Sequence, residues 1–459
     1  MNRAVHLATE SGDEQLEYQA RMRLTASACW GGDTDAMLSS FAWCLAQHDR
    51  DPARFAADAV PGGDLMWQYK WMVGALGRSP AFSLAQATAM LDDMEAHYRR
   101  AGLGLSGVAM ARFAHAWTTG DLERAKALRV RLEAMPRDSH SHCDACTRSD
   151  LAGFAADLGD EDRALRLLDE VMANKYSCAS EPEYLLSRTL VALLRAGRTQ
   201  DARAGHLRSY QLAHQNPDNI EIVADNLVFC AITGNEGRGL HLVERHLPWL
   251  AHDALNDWGR LRMLTAVEVV LDAVARAGYP DQVVRGADDS MLADALGAGP
   301  RDGAASGRHA HGEPGRGAGR GGPTGGWTVV EVAAKAREAA DALAAAFDAR
   351  NGNSFVSATA AKTRGLVDEP YAVPIQGHTL GIPTPRPAAQ PRGPAELLER
   401  ALSCGTFGTA SEQVLYGRRA AAATTDPGLC VEALGAVIGG LAKQGAGEEA
   451  QGVLEERLT

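Results

Sequence analysis

A glycine followed five residues later by an alanine, or once by a glycine, recurs along the middle of this 459-residue chain. The four clearest examples begin 39, 38 and 37 residues apart. They are Gly120/Ala125, Gly159/Ala164, Gly197/Ala202 and Gly234/Gly239, with weaker examples at Gly31/Ala36 and Gly445/Ala450. A period of roughly 20 to 50 residues is typical of repeat architectures, in which each repeat is one supersecondary unit. The spacing therefore predicts an array of similar units.

Residues 182–215 show the unit most clearly. Leu186 and Leu190 belong to a set of leucines at helical spacing, which predicts a first amphipathic helix. Gly197 ends that helix and permits a tight turn, so we expect a second helix over 199–213. The small residue five places after the glycine lies where the two helices cross, because a larger side chain there would push them apart.

The same helix–turn–helix unit fits other segments of the first 280 residues. It is predicted at 105–136, 147–175 and 219–248, with one more first helix at 252–278 and two looser units at 14–48 and 64–101. Aromatic residues make up only 6% of the chain, and good helix formers such as alanine, leucine and arginine are abundant. The predicted fold class is all-α.

Four phrases begin at the turn glycines: GDLERAKAL at 120, GDEDRALRL at 159, GRTQDARAG at 197 and GNEGRGLHL at 234. This pattern resembles degenerate tetratricopeptide repeat (TPR) proteins, in which glycine begins the turn and a small residue sits in the second helix. The resemblance covers about residues 10–280, although the units are longer than the family's usual period. It implies a right-handed TPR-like α-solenoid whose first helices line a concave groove for a peptide or a partner's helix.

The glycine-turn pattern stops after about residue 280. We predict a TPR-like helical repeat array at 1–280, a Gly/Arg-rich flexible linker at 281–327, an Ala-rich helical segment at 328–365, a Pro/Gly-rich linker at 366–393 and a C-terminal helical repeat pair at 394–459. Residues 299–326 are so rich in glycine that they cannot bury a core, which predicts a disordered insertion. The sequence leaves open whether they separate two domains or form a loop within one array.

Charge and hydropathy limit the partners that we expect. The net charge of −12 argues against a nucleic-acid-binding chain, which usually carries a basic surface. No apolar run approaches the length of a membrane span, and the N-terminus lacks the apolar core of a signal peptide. We therefore expect a cytoplasmic protein without a membrane partner. The excess of arginine over lysine is typical of GC-rich bacterial genomes.

The sharpest candidate site is the pair Cys143 and Cys146, followed by Cys178. A helical hairpin returns its two ends to one edge, so we expect these three thiols to approach one another, with His142 as a fourth ligand. Three thiolates and one imidazole are a known structural zinc set. A redox or disulfide pair and cysteines that pack as small hydrophobes remain alternatives. His140 also adjoins the cysteine pair and is an alternative fourth ligand, and His206 and His214 are more distant candidates.

The resemblance to TPR proteins also points to groove residues on the first helices. The candidates are Tyr184, Arg188, Glu221, Asp225 and Asn226. No phosphate-binding loop, metalloprotease motif or nucleophile elbow occurs in the sequence. The leading hypothesis is a non-enzymatic scaffold or adaptor that binds a protein or peptide segment in the groove. The alternatives are a signalling or transcription-associated regulatory module and a zinc-stapled or redox-active cysteine protein.

Overall fold

The computed structural model describes residues 1–253, 255–287, 326–375, 380, 393–407 and 410–458. These residues form 21 α-helices and short 3₁₀ turns, without a β-strand, so the all-α prediction is confirmed. The chain divides into two compact units, Met1–Leu380 and Gly381–Thr459. In the part of the chain that is described, no helix combines the length and the apolar character needed to cross a membrane.

The described residues of the first unit form seventeen α-helices, numbered here in chain order. The first nine are α1 (Asn2–Ser11), α2 (Glu14–Gly31), α3 (Thr34–Arg50), α4 (Leu65–Gly77), α5 (Leu84–Arg100), α6 (Ser106–Thr118), α7 (Leu122–Glu133), α8 (Asp144–Asp157) and α9 (Glu161–Asn174). The next eight are α10 (Glu183–Arg188), α11 (Leu190–Arg195), α12 (Thr199–Ala213), α13 (Ile220–Ile232), α14 (Glu236–His246), α15 (Asp257–Arg276), α16 (Val329–Asn351) and α17 (Phe355–Gly365).

Each turn glycine of the central repeats lies in the left-handed backbone region, where a side chain would be strained. The φ angles are 84° at Gly120, 77° at Gly159, 72° at Gly197 and 73° at Gly234. In the first two turns an aspartate follows the glycine, and Asp121 and Asp160 each accept a hydrogen bond from an amide of the next helix. One residue therefore ends the first helix and its neighbour begins the second.

The predicted close crossing of the paired helices is confirmed. Ala125, Ala164 and Ala202 have no exposed surface, and each lies in the second helix of its pair. At the fourth position, a Cβ on Gly239 would lie 3.3 Å from Cβ of Cys230 in the paired helix α13 and 2.9 Å from Cγ1 of Val270 in α15. The helices pack too closely at this position for a larger side chain.

Two local predictions are wrong by small amounts. The turn after α2 is made by Gly32, with φ at 68°, and not by Gly31, so the weak Gly31/Ala36 example is one residue out of register. The first helix of the 182–215 unit is divided at Thr189 into α10 and α11. The Thr189 hydroxyl donates to the Leu185 carbonyl at 2.8 Å, and this hydrogen bond competes with the backbone hydrogen bonds of the helix.

The Ala-rich helix α16 packs on α15 within one hydrophobic core. Ala336, Ala339 and Ala340 are fully buried at this contact. The chain ends that flank 288–325 are paired, because the Val284 amide donates to the Trp327 carbonyl at 2.9 Å. The chain on both sides of this segment therefore belongs to one compact unit. The predicted linker itself lies mostly at 288–325, outside the described residues.

The beginning and the end of the repeat array touch within the first unit. The Thr34 hydroxyl donates to Asp253 Oδ2 at 2.6 Å. The Trp258 amide at the start of α15 donates to the Arg78 carbonyl after α4 at 2.9 Å. Contacts over such long sequence distances mean that the array curves until α4 lies beside α15.

The second unit contains α18 (Pro394–Phe407), α19 (Ala410–Ala423), α20 (Pro427–Lys443) and α21 (Gly447–Leu458). Two glycines permit a close approach of α19 and α20. A Cβ on Gly417 would lie 2.8 Å from Val437 Cγ2, and one on Gly440 would lie 2.7 Å from Val414 Cγ2. The turn glycine Gly445 has the left-handed φ of the central repeats, 75°.

The crossing position gives a direct stability test. Ala202→Leu is expected to destabilise the protein by about 1–3 kcal/mol, because the added atoms must displace the packed first helix. Ala204→Leu makes the same change at an exposed position of the same helix and should shift stability by less than about 0.5 kcal/mol. Urea unfolding measures both. Equal losses in the two variants would contradict the close crossing.

Candidate functional site

The first helices of the pairs line two adjoining, partly open cavities of about 220 and 270 Å³. The smaller cavity is lined by α6, α8, α10, α11, α13, α15 and α17, and the larger one by α4, α6, α8, α10, α13 and α15. Trp117, Arg188 and Trp258 line both cavities. We call this combined space the inner chamber.

Charged residues of alternating sign occupy equivalent places in four successive first helices that face the chamber. They are Asp150, Arg188, Asp225 and Arg262, which are spaced 38, 37 and 37 residues apart. We call these four residues the charge ladder. One helical turn earlier, Tyr184, Glu221 and Trp258 form a second row with a spacing of 37 residues. The period that sets the turn glycines therefore also places the polar groups of the chamber.

Hydrogen bonds join the two rows into one network. Arg188 reaches Asp150 at 3.4 Å and the Tyr184 hydroxyl at 3.0 Å. That hydroxyl donates to Glu221 Oε2 at 2.5 Å. Arg262 binds the same carboxylate oxygen at 3.2 Å and also pairs with Asp225. The network thus satisfies buried charges mutually instead of leaving any one of them alone.

Burial and charge act in opposite directions on the ionisation of these groups. Burial raises the pKa of Asp225, and Arg262 and Arg188 oppose that effect. Burial also acts to raise the pKa of Glu221, but Arg262, Arg78 and Arg188 prevail and lower it. Burial would lower the pKa of Arg188, yet its anionic neighbours raise it, so the guanidinium stays charged. The network therefore sets charged guanidinium groups against carboxylates whose pKa values move in opposite directions, down for Glu221 and up for Asp225.

The structure brings four of the five predicted groove residues together and corrects the fifth. Asn226 is fully buried on the face of α13 that packs against α12. Its side-chain amide donates to the Ser209 hydroxyl of α12 at 3.1 Å. Its place one residue after Asp225 turns it by roughly 100° around the helix, away from the chamber.

One wall of the chamber is made by a segment that we call the strap, residues 350–375. Its side chains Arg350, Asn353 and Lys362 donate to backbone carbonyls at or just beyond the C-terminal ends of α4, α6 and α8. The acceptors are Ser79 O at 2.9 Å, Thr119 O at 2.8 Å and Asp157 O at 3.0 Å. The last carbonyls of a helix lack helical partners and attract cations, so these contacts suit Arg350 and Lys362.

The strap continues along the ends of α11 and α13. Glu369 forms an ion pair with Arg195 at 3.0 Å. The Tyr371 amide donates to the Ile232 carbonyl at 2.8 Å, and Asn235 binds the Val373 carbonyl at 2.9 Å. Residues 366–375 of the predicted Pro/Gly-rich linker are thus held against the array, while 376–379 and 381–392 lie outside the described residues.

The three predicted thiols lie at the opposite ends of the first helices. Cys143 caps the N-terminus of α8, and its Sγ accepts a hydrogen bond from the Cys146 amide at 3.3 Å. Cys178 lies in the connection between α9 and α10. The three sulfur atoms lie within 4.8 Å of one another, and we call them the thiol cluster. Burial raises the pKa of both Cys146 and Cys178.

The predicted histidine ligands lie elsewhere. His142 is not part of the 4.8 Å group, and its side chain lines the larger cavity, where burial and then Lys70 and Arg137 lower its pKa to about 3. His140 Nε2 pairs with Asp64 at 3.0 Å. His206 accepts a hydrogen bond from Arg238 Nε at 2.9 Å, and His214 contacts helix carbonyls. The prediction of His142 as a fourth ligand is therefore not supported by its position.

Several chamber residues were missed at the sequence level. Asp150 and Arg262 lie in register with Arg188 and Asp225, so the repeat period itself could have found them. Lys70 and Arg78 come from the looser N-terminal units, where no spacing signal marks them.

Removing one ladder arginine tests the balance of buried charge. Arg262→Met is expected to cost about 3 kcal/mol, the low end for a broken buried ion pair, because Arg262 keeps 28% of its side chain exposed. The loss should be smaller at pH 4 than at pH 7, because the raised pKa of Asp225 favours protonation of the carboxylate that the substitution leaves unpaired. Arg166→Met, an exposed change in α9, should cost less than about 0.5 kcal/mol at either pH. A pH-independent loss in Arg262→Met would contradict the charge explanation.

Two glycines with the same backbone geometry isolate the strap contact. A Cβ on Gly120 would lie 2.5 Å from Cβ of Phe355, whereas one on Gly159 would meet no atom within 4 Å. Gly159→Ala should cost only the left-handed backbone penalty of about 1–2 kcal/mol. Gly120→Ala should cost more and should raise hydrogen exchange over residues 353–365, because Phe355 must move. Identical exchange in the two variants would show that the strap does not depend on this contact.

No protein-family model matches this chain, and a search of curated proteins found no similar sequence.

Proposed function

We propose that this protein is a non-enzymatic scaffold or adaptor that holds a short peptide segment of a partner in the inner chamber. The proposal includes a right-handed, TPR-like arrangement of the helix pairs, with the first helices on the concave side, and a cytoplasmic setting. The observation that carries it is the charge ladder, which repeats the period of the fold and faces the inner chamber. Its groups pair with one another across neighbouring repeats and give the chamber wall side chains of both signs.

The size of the chamber favours a short segment over a whole helix. Its two cavities measure about 220 and 270 Å³, and small-ligand sites are typically about 300–1,000 Å³. The strap fills part of the space in which a TPR-type groove would accept a longer partner. An extended peptide of a few residues fits the remaining volume.

The chemistry of the walls favours a peptide over a simple anion or an apolar molecule. Trp117, Trp258 and Phe355 supply apolar surface. The ladder supplies two guanidinium groups and two carboxylates, so neither sign dominates. A peptide backbone offers both donors and acceptors, and its side chains can use the aromatic surfaces.

The strap favours a second candidate, a regulatory module. Phe355, Thr359 and Lys362 of the strap line the smaller cavity, so an occupant of that cavity would contact the strap directly. A ligand with different affinities for the docked and the released strap would shift the population between them. Hydrogen exchange at 353–373 that changes on peptide binding would support this regulatory role, and unchanged exchange would favour the plain scaffold.

Selection of peptides on the full-length protein tests the proposal. Random displayed peptides of about a dozen residues are selected on the wild type, and their affinities are measured by fluorescence anisotropy. Thr359→Phe places a large side chain in the smaller cavity and should weaken the selected peptides at least about tenfold, a change of about 1.4 kcal/mol.

The matched control is Ala358→Phe, which adds the same ring at the exposed neighbouring position. This variant should keep wild-type affinity, and both variants should keep the helical circular dichroism spectrum. Failure to select any peptide, or equal weakening by the two variants, would refute binding in the chamber.

A further inference from the structure

We propose that Cys143, Cys146 and Cys178 together bind one thiophilic metal ion of the Zn²⁺ class, which ties the start of α8 to the α9–α10 connection. This inference is independent of the proposed peptide function, since the thiol cluster lies at the other end of the first helices from the strap. It differs from the sequence-based hypothesis in its ligand set, because the three sulfur atoms are the only protein ligands.

The spacing of the sulfur atoms suits a metal ion. Zinc–sulfur bonds are about 2.3 Å long, so sulfurs at the corners of a tetrahedron lie about 3.8 Å apart. The three sulfurs of the cluster lie within 4.8 Å of one another, and a small side-chain adjustment closes the difference. All eight cysteines of the chain are free, so no disulfide competes for this position. A disulfide would in any case use two of the three sulfurs and leave one over.

Backbone amides around the cluster stabilise sulfur as an anion. The Cys146 amide donates to Cys143 Sγ at 3.3 Å at the N-terminus of α8. The positive end of the helix dipole lies at the same place and favours negative charge. The Ala179 backbone amide acts on Cys178 in the same direction and lowers its pKa against the larger effect of burial. Such hydrogen bonds around a metal's ligands are typical of metal sites.

Lys70 supplies a second observation that points to a charged occupant. Its residue surface is 8% exposed, and its Nζ has no hydrogen-bond partner among the described residues. The ammonium group lies 3.3 Å from the centroid of the Trp67 ring. Burial lowers the pKa of Lys70 to about 8, and Asp138, Asp64 and then Cys143 and Cys146 oppose this effect.

Charge balance explains why a lysine would be kept at this place. A divalent ion with three thiolates carries one net negative charge. Lys70 carries one positive charge and interacts electrostatically with Cys143 and Cys146. The occupied site and the buried ammonium therefore offset each other's charge, and without the metal that ammonium has the carboxylates of Asp138 and Asp64 and the ring of Trp67 as its partners.

The fourth coordination position is left to water in this arrangement. The His142 side chain lines the chamber beside Lys70 and is not among the ligand atoms within 4.8 Å. Cys178 is exposed, so solvent reaches the cluster from its side. The occupied site would fix the position of Cys146, which precedes the first ladder residue, Asp150, by one helical turn.

The full-length protein, purified without chelator, tests the site by elemental analysis. We expect about one zinc ion per chain, and less than about a tenth of that in Cys143→Ser, Cys146→Ser and Cys178→Ser. Cys29→Ser, a half-buried cysteine outside the cluster, is the matched control and should retain the metal. His142→Gln should also retain it, because the proposed ligand set does not include that ring.

Direct addition of Co²⁺ to wild-type protein stripped of metal provides a readout that does not depend on the folding of any variant. Thiolate ligation should produce a sulfur-to-cobalt charge-transfer absorption, and stripping should lower the melting temperature. Absence of both the native metal and the cobalt band would overturn the proposal. So would a Cys143–Cys146 disulfide found by mass spectrometry in the native protein, or loss of the metal in His142→Gln.

Discussion

The contact on which the rest of the first unit depends is the close crossing of two paired helices over a single small side chain. A left-handed glycine sets the direction of the second helix, and the alanine five residues later lets it lie against the first. Because this contact recurs every 37 to 39 residues, equivalent positions of successive first helices fall into rows. The rows of side chains that face inward line the chamber and set its chemistry. The rows that face a neighbouring helix pair form the hydrophobic core.

The alternating signs of the ladder follow from where the rows meet. Like charges in such a row would repel one another, and no attraction would offset the free energy of removing them from water. Alternation gives Arg188 and Arg262 carboxyl partners from neighbouring repeats, so the chamber holds groups of both signs in equal number. Such a surface discriminates between ligands by the arrangement of their hydrogen-bond donors and acceptors, and not by their net charge.

The periodic part of the structure could be predicted from the sequence, and the non-periodic part could not. The turn at Gly197 and the burial of Ala202 follow from local spacing, and the meeting of the three thiols follows from hairpin geometry. The strap has no period, since its contacts join residues hundreds of positions apart, and no local pattern encodes them. The groove position predicted for Asn226 and the ligand position predicted for His142 differ from the structure for a smaller reason. A shift of one residue along a helix or turn points a side chain in a different direction, and sequence spacing alone does not resolve that difference.

The strap makes the order of synthesis matter for this fold. A simple repeat array is built from contacts between neighbours, and each unit can form as it emerges. Here 271 residues separate Ser79 from the arginine that binds its carbonyl. Protein synthesis adds about 5–20 residues per second, so the C-terminal ends of the first helices and the aromatic lining of the chamber would remain uncovered for many seconds. The nascent chain is therefore most exposed to unwanted association before residue 350 is made, and docking of the strap completes the fold in a late, non-local step.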